Sequence, residues 1–145
     1  MTLYAESSAV LRWLFAEPGG EEARAASSAA EKVATSRLTL IEVRRVVGRA
    51  EREGRLAAAQ AIDLLALFAR AASSWAIVEL VPSVAQRAAE RFPAEPVRTL
   101  DAIHLATALF LRPHLPELVL LTSDERIRRN AALLGLEVRP PDRKA

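Results

Sequence analysis

The chain has 145 residues, 51% hydrophobic and 26% charged, which suits one domain with its own core and excludes wholesale disorder. It contains no cysteine, so disulfides, thiolate metal sites and cysteine nucleophiles are excluded together. The formal charge is only +2, carried by 18 arginines against two lysines, a balance that suits phosphate contacts but does not by itself define a nucleic-acid partner.

The elements follow in chain order. Residues 2–5 (TLYA) read as a short strand, and SAVLRWLF as a helix with Val10, Leu11 and Leu14 at helical spacing. EPGG at 17–20 breaks it, residues 21–32 form an alanine-rich helix, and VATS at 33–36 is a second strand. Residues 39–52 have helical periodicity through Leu40, Val43, Val47 and Ala50, and Gly54 ends that helix. Residues 56–72 supply another helix, and WAIVELV at 75–81 reads as a strand from its β-branched and aromatic content.

A short helix at 83–91 closes at the FPAEPV loop, and residues 100–111 form a helix apolar nearly all round, hence buried. LVLLT at 118–122 is a buried strand, 124–134 a helix ended by Gly135, and LEVRP at 136–140 a last strand. Strands alternating with helices predict an α/β sandwich with a mostly parallel sheet, one domain over 1–140 and a polar tail at 141–145. No apolar run reaches the roughly 20 residues that span a bilayer, and no basic and apolar leader precedes the first strand. A soluble cytoplasmic protein without a membrane partner is expected.

In such folds ligands bind beyond the carboxyl ends of the strands, and four acids fall there. Glu6 follows the first strand, Glu42 lies in the first turn of the helix after the second, Asp101 opens the buried helix, and Asp124 follows LVLLT. Each has an ordinary structural explanation. Thr39 and Glu42 have the spacing of a capping box, Asp101 suits the helix dipole, and Asp124 or Ser123 suits an N-cap. An aspartate leading a helix as apolar as RTLDAIHLATAL is less well explained that way. Four carboxylates brought together repel unless protonated or neutralised, and an all-oxygen set suits Mg²⁺ or Mn²⁺. That chemistry predicts a metal-dependent phosphodiesterase.

The stretches LYAESSAVL, SRLTLIEVRRVV, VRTLDAIHLATAL and LLTSDERIRRNAALLGLEV resemble the PIN-domain proteins, specifically VapC-type toxin ribonucleases. The resemblance implies a three-layer sandwich around a parallel five-stranded sheet. It further implies an acidic quartet binding Mg²⁺ or Mn²⁺, endonuclease action on RNA, and a homodimer neutralised by a small VapB-like antitoxin. On this sequence the quartet is Glu6, Glu42, Asp101 and Asp124, with Ser8 orienting the first acid and Thr122 or Ser123 supporting the last. The family's first acid is normally aspartate, in a pattern like LDTSAL. The glutamate here moves the carboxylate out by about 1.5 Å and keeps open a catalytically silent PIN-fold module that binds an antitoxin-like protein or RNA.

Other residues carry weaker readings. His104, on the same helix face as Asp101, is expected to be packed and hydrogen-bonded more than a ligand. His114 is expected to be exposed, and Trp13 and Trp75 to be core or dimer contacts. Arg44, Arg45, Arg49 and Arg52, and likewise Arg126, Arg128 and Arg129, form basic faces that suit RNA phosphates or solvent equally well. A Walker phosphate loop, a dinucleotide fingerprint and a nucleophile elbow are all missing. Neither lysine, Lys32 nor Lys144, is placed for receiver-like phosphoryl chemistry.

Overall fold

The computed structural model describes residues 1–140. Its strands are β1 (Thr2–Ala5), β2 (Lys32–Ser36), β3 (Ala76–Val78), β4 (Leu118–Leu121) and β5 (Glu137–Arg139). They form one five-stranded sheet in the order β3-β2-β1-β4-β5, with every pairing parallel. Parallel neighbours need crossovers, and helices supply them. These are α1 (Ser7–Leu14) and α2 (Gly20–Ala29), then α3 (Arg37–Arg52) and α4 (Ala58–Ala72), then α5 (Pro82–Ala89) and α6 (Thr99–Leu111), and last α7 (Glu125–Leu133).

The strands separate two cores by their two-residue period. Leu3 and Ala5 enter one core with Val33, Val119, Leu121, Val43 and Phe68, under α1 to α4. Tyr4 enters the other with Leu118, Leu120, Leu105 and Ile127, under α6 and α7. The result is a three-layer sandwich. Helix α6 buries Ala102, His104, Leu105, Ala106, Thr107 and Ala108 in succession, which is why its sequence is apolar nearly all round. Helices α1 and α2 approach so closely at Gly20 that an added Cβ would lie 2.3 Å from the Arg12 carbonyl oxygen.

The chain builds outward from β1 through β2 to β3, then returns to the other side of β1 with β4. Strand order therefore reverses between β1 and β4, and the carboxyl ends of strands at such a point are where open α/β sheets bind ligands. Residues 6–8 and 122–124 leave the sheet at this point.

Several boundaries differ from expectation, among them the start of the helix expected from residue 56, which begins at Ala58. The helix after β2 begins at Arg37 with Ser36 as N-cap, the Ser36 hydroxyl accepting from the Leu38 amide at 3.1 Å. Thr39 and Glu42 are thus no capping box, and Glu42 lies in the second turn. Thr39 is buried, its hydroxyl 2.8 Å from that of Thr35, which donates to the Ala5 carbonyl at 2.6 Å. The alanine-rich helix stops at Ala29 and Lys32 joins β2 opposite Thr2. The run at 75–81 is strand only over Ala76–Val78, because β2 ends at Ser36 and leaves nothing further to pair with. The helix expected to reach residue 91 ends at Ala89. The tail at 141–145 lies outside the described residues.

Candidate metal centre

Glu6 follows β1 as the N-cap of α1 and is only 2% exposed. Its Oε1 accepts from the Ser7 hydroxyl at 2.9 Å and the Ser8 amide at 3.1 Å. Its Oε2 accepts from the Ser8 hydroxyl and from the Thr122 hydroxyl at 2.8 Å. A carboxylate offers about four acceptor positions, and four donors of its own chain face this one.

The same hydroxyls reach into the turn between β4 and α7. Ser8 Oγ accepts from the Ser123 amide at 3.0 Å, and Thr122 Oγ1 from the Asp124 amide at 3.1 Å. Asp124 caps α7, with Oδ1 accepting from the amides of Arg126 and Ile127 at 2.9 and 3.0 Å. Arg128 is buried and donates to the Thr122 carbonyl at 2.9 Å.

Glu42 is engaged differently. His104 Nε2 lies 2.8 Å from Oε1, and the Ser7 hydroxyl lies 3.0 Å from Oε2. Ser7 has one proton and stands between two carboxylates, Glu6 and Glu42, so it donates to one of them at a time. His104 is 1% exposed, and its Nδ1 is 2.8 Å from the Tyr4 hydroxyl. Burial, then the negative charges of Glu6 and Glu42, push the Tyr4 phenol well above its ordinary range, with hydrogen bonds from Thr107 and the Ser36 backbone offsetting part of this. Tyr4 therefore stays neutral and serves the histidine as a hydrogen-bond partner.

The carboxylate of Asp101, in the first turn of α6, has no hydrogen-bond partner among the described residues. Its carboxyl is raised by burial first, then by the charges of Asp124 and Glu6, with His104 and Arg98 partly offsetting them. The four expected acids thus gather at one crevice but in two conditions. Glu6 and Glu42 are engaged by neighbouring side chains, whereas Asp101 and Oδ2 of Asp124 keep open oxygens.

Among the described residues no group of three or more histidine, aspartate or glutamate side chains is placed to hold a metal ion as it stands. The donor chemistry nonetheless fits a hard divalent cation. Mg²⁺ is commonly held by one or two carboxylates with water and substrate phosphate completing the sphere, without an all-protein cage. The Asp101 carboxyl is raised first by burial and then by the neighbouring charges of Asp124 and Glu6, and a cation would offset the latter.

Of the expected supporting residues, Ser8 and Thr122 donate to Glu6, the Thr122 hydroxyl accepts from the Asp124 amide, and Ser123 contributes its backbone amide to Ser8. Ser7, Tyr4 and the grip of His104 on Glu42 were missed. Only the doubled serine after Glu6 signals Ser7 in the sequence, because Tyr4, His104 and Glu42 are joined by topology and not by spacing. His104 is packed and hydrogen-bonded as expected. His114 is exposed, and Trp13 and Trp75 are half-buried against the core beneath α1 to α4. Arg128 departs from the expected basic face: it turns inward onto backbone carbonyls, while Arg126 and Arg129 stay exposed.

A parallel α/β sandwich with acids at its switch point defines the class, and comparison with known proteins agrees. The PIN domain profile matches residues 3–133. Ribonuclease VapC45 of Mycobacterium tuberculosis (strain CDC 1551 / Oshkosh) and Ribonuclease VapC49 of strain ATCC 25618 / H37Rv are each 30% identical over 138 residues, covering 95% of this chain and 94% of theirs. Among solved structures, VapBC2 from Rickettsia felis bound to a promoter DNA fragment superposes with a TM-score of 0.64 at 13% identity, covering 96% of this chain and 98% of that one. PAE2754 from Pyrobaculum aerophilum gives 0.64 at 21% identity, covering 95% and 83%. At these identities the structures speak for the fold alone. The chain belongs to the PIN-domain family and is of the VapC type.

Proposed function

We propose that this protein is a Mg²⁺- or Mn²⁺-dependent endoribonuclease, the toxin of a toxin–antitoxin pair, acting on RNA in the cytoplasm. The observation that carries the reading is the pair of open carboxylates, Asp101 and Asp124, at the switch point of a VapC-type PIN fold whose relatives are ribonucleases. A divalent cation bound there supplies Lewis acidity toward a phosphodiester and lowers the pKa of water.

The chain's own residues do the rest. Asp101 and Asp124 offer oxygens to the cation, and Glu6 and Glu42 add negative charge that favours it. His104 holds Glu42 through Oε1, with Ser7 shared between Glu42 and Glu6, and the helix cap fixes Asp124 so that only Oδ2 is open. Arg98 and Arg126, exposed beside the two aspartates, are placed to meet RNA phosphates.

The partner is a VapB-like antitoxin. Structures of similar fold include VapBC2 and a toxin–antitoxin complex from Klebsiella pneumoniae, the latter with a TM-score of 0.59 at 22% identity. A homodimer is the expected assembly. No helix among the described residues is long and apolar enough to cross a membrane. Incubation of purified protein with total cellular RNA, with Mg²⁺, with Mn²⁺ or with chelator, tests the activity. Cleavage that needs metal and is lost in Asp101→Asn supports it. No cleavage with either metal, or cleavage that persists in the variant, contradicts it and leaves a silent binding module.

A further inference from the structure

Glu6 is the residue at which this chain departs from the usual aspartate, and its surroundings give that departure a use. Ser8 and Thr122 take three of its acceptor positions, and Ser7 takes a fourth whenever its proton is not donated to Glu42. Two of those donors are themselves held by the turn between β4 and α7. The Asp124 amide donates to Thr122 Oγ1, which donates to Glu6, and the Ser123 amide donates to Ser8 Oγ, which also donates to Glu6. Ser7 lies between Glu6 and Glu42 and gives its one proton to either. One buried carboxylate is wired to the backbone that carries Asp124 and shares Ser7 with Glu42.

We infer that Glu6 is a positioning residue and not a metal ligand: its carboxylate orders the turn that aims Asp124 and steadies Glu42. This rests on the metal-dependent reading above and deepens it. To ligate a cation through Oε2, Glu6 would have to release the Ser8 or Thr122 hydroxyl inside a site where it is 2% exposed, leaving that donor unpaired at a cost. Its Oε1 already faces the Ser7 hydroxyl and the Ser8 amide. Asp101 and Asp124 meet a cation with no such exchange. The glutamate length follows from the same geometry. An aspartate carboxylate, drawn back by about 1.5 Å, would leave Thr122, now 2.8 Å from Oε2, without its acceptor.

Two measurements test this on the full chain. The first is the backbone amide NMR spectrum of the metal-free protein for wild type, Glu6→Gln, Glu6→Asp and Thr122→Val. The positioning role predicts that the Ser123 and Asp124 amides shift and exchange faster in Glu6→Asp and Thr122→Val. Changes confined to residues 6–8 overturn it. The second is Mn²⁺ affinity. A partner behind the ligands costs about 10–100-fold, so Glu6→Asp and Thr122→Val are expected to weaken binding within that range, although Thr122→Val removes no carboxylate. Glu6→Asp binding Mn²⁺ more tightly than wild type, with Thr122→Val unchanged, overturns the proposal in favour of direct ligation. The amide measurement needs no metal, so it judges the positioning role even if wild type binds no Mn²⁺, the result that contradicts the metal-dependent reading itself.

Discussion

At Asp101 the fold raises the carboxyl through burial, Asp124 and Glu6, so the folded chain holds that proton more tightly than the unfolded chain. The sign follows directly: the ionised form costs stability, and the cost is absent below the unfolded value of about 3.9 and complete above the raised one. Asp101→Asn is therefore expected to be more resistant to denaturant than wild type near neutral pH, with the difference vanishing toward about pH 3. Its RNA cleavage is expected to fall by more than about 100-fold, beyond the usual loss for a partner behind the ligands. His104 carries the opposite balance. His104→Ala leaves the Tyr4 hydroxyl and Glu42 Oε1 without their partner and opens a cavity in a packed layer. A loss of about 2–4 kcal/mol in urea unfolding is expected.

At the scale of elements, the start of α3 separates two accounts of its N-terminus. If Ser36 is the cap, Ser36→Ala costs about 1 kcal/mol of unfolding free energy; no loss in Ser36→Ala would return the cap to Thr39. The sequence misleads here because Thr39 and Glu42 have capping-box spacing, while the Thr39 hydroxyl is drawn instead to Thr35 inside the sheet. Elements whose pattern and burial agree were legible: β1, β4 and α6 fall within a residue of their expected bounds. Edges set by pairing were not. Nothing in WAIVELV shows that β2 runs out at Ser36, and nothing in a run of alanines shows that Lys32 is claimed by Thr2 across the sheet.

Across the whole molecule, the placement of the four acids beyond or near the strand ends follows from hydrophobic pattern, because parallel topology brings those ends to one edge of the sheet. Which carboxylate oxygens stay open was not legible. That depends on Ser7 reaching both Glu6 and Glu42, on Thr122 reaching Glu6 across 116 positions, and on His104 lying between Tyr4 and Glu42. The basic rim belongs to this scale as well. Each lost phosphate contact lowers the salt slope of single-strand binding by about 0.7, so Arg126→Ala is expected to weaken RNA binding and flatten that slope by roughly this amount. Arg128, tied to backbone carbonyls, is expected to affect folding and not the slope.

Binding of a hard divalent cation through Asp101 and Asp124 is the property on which the proposed chemistry most directly depends. Titration of the wild-type protein with Mn²⁺, followed by electron paramagnetic resonance alongside Asp101→Asn and Asp124→Asn, measures this without reference to any RNA. Saturable binding in wild type that is lost in both variants is the result predicted. No binding in wild type, or equal binding in all three, would contradict it.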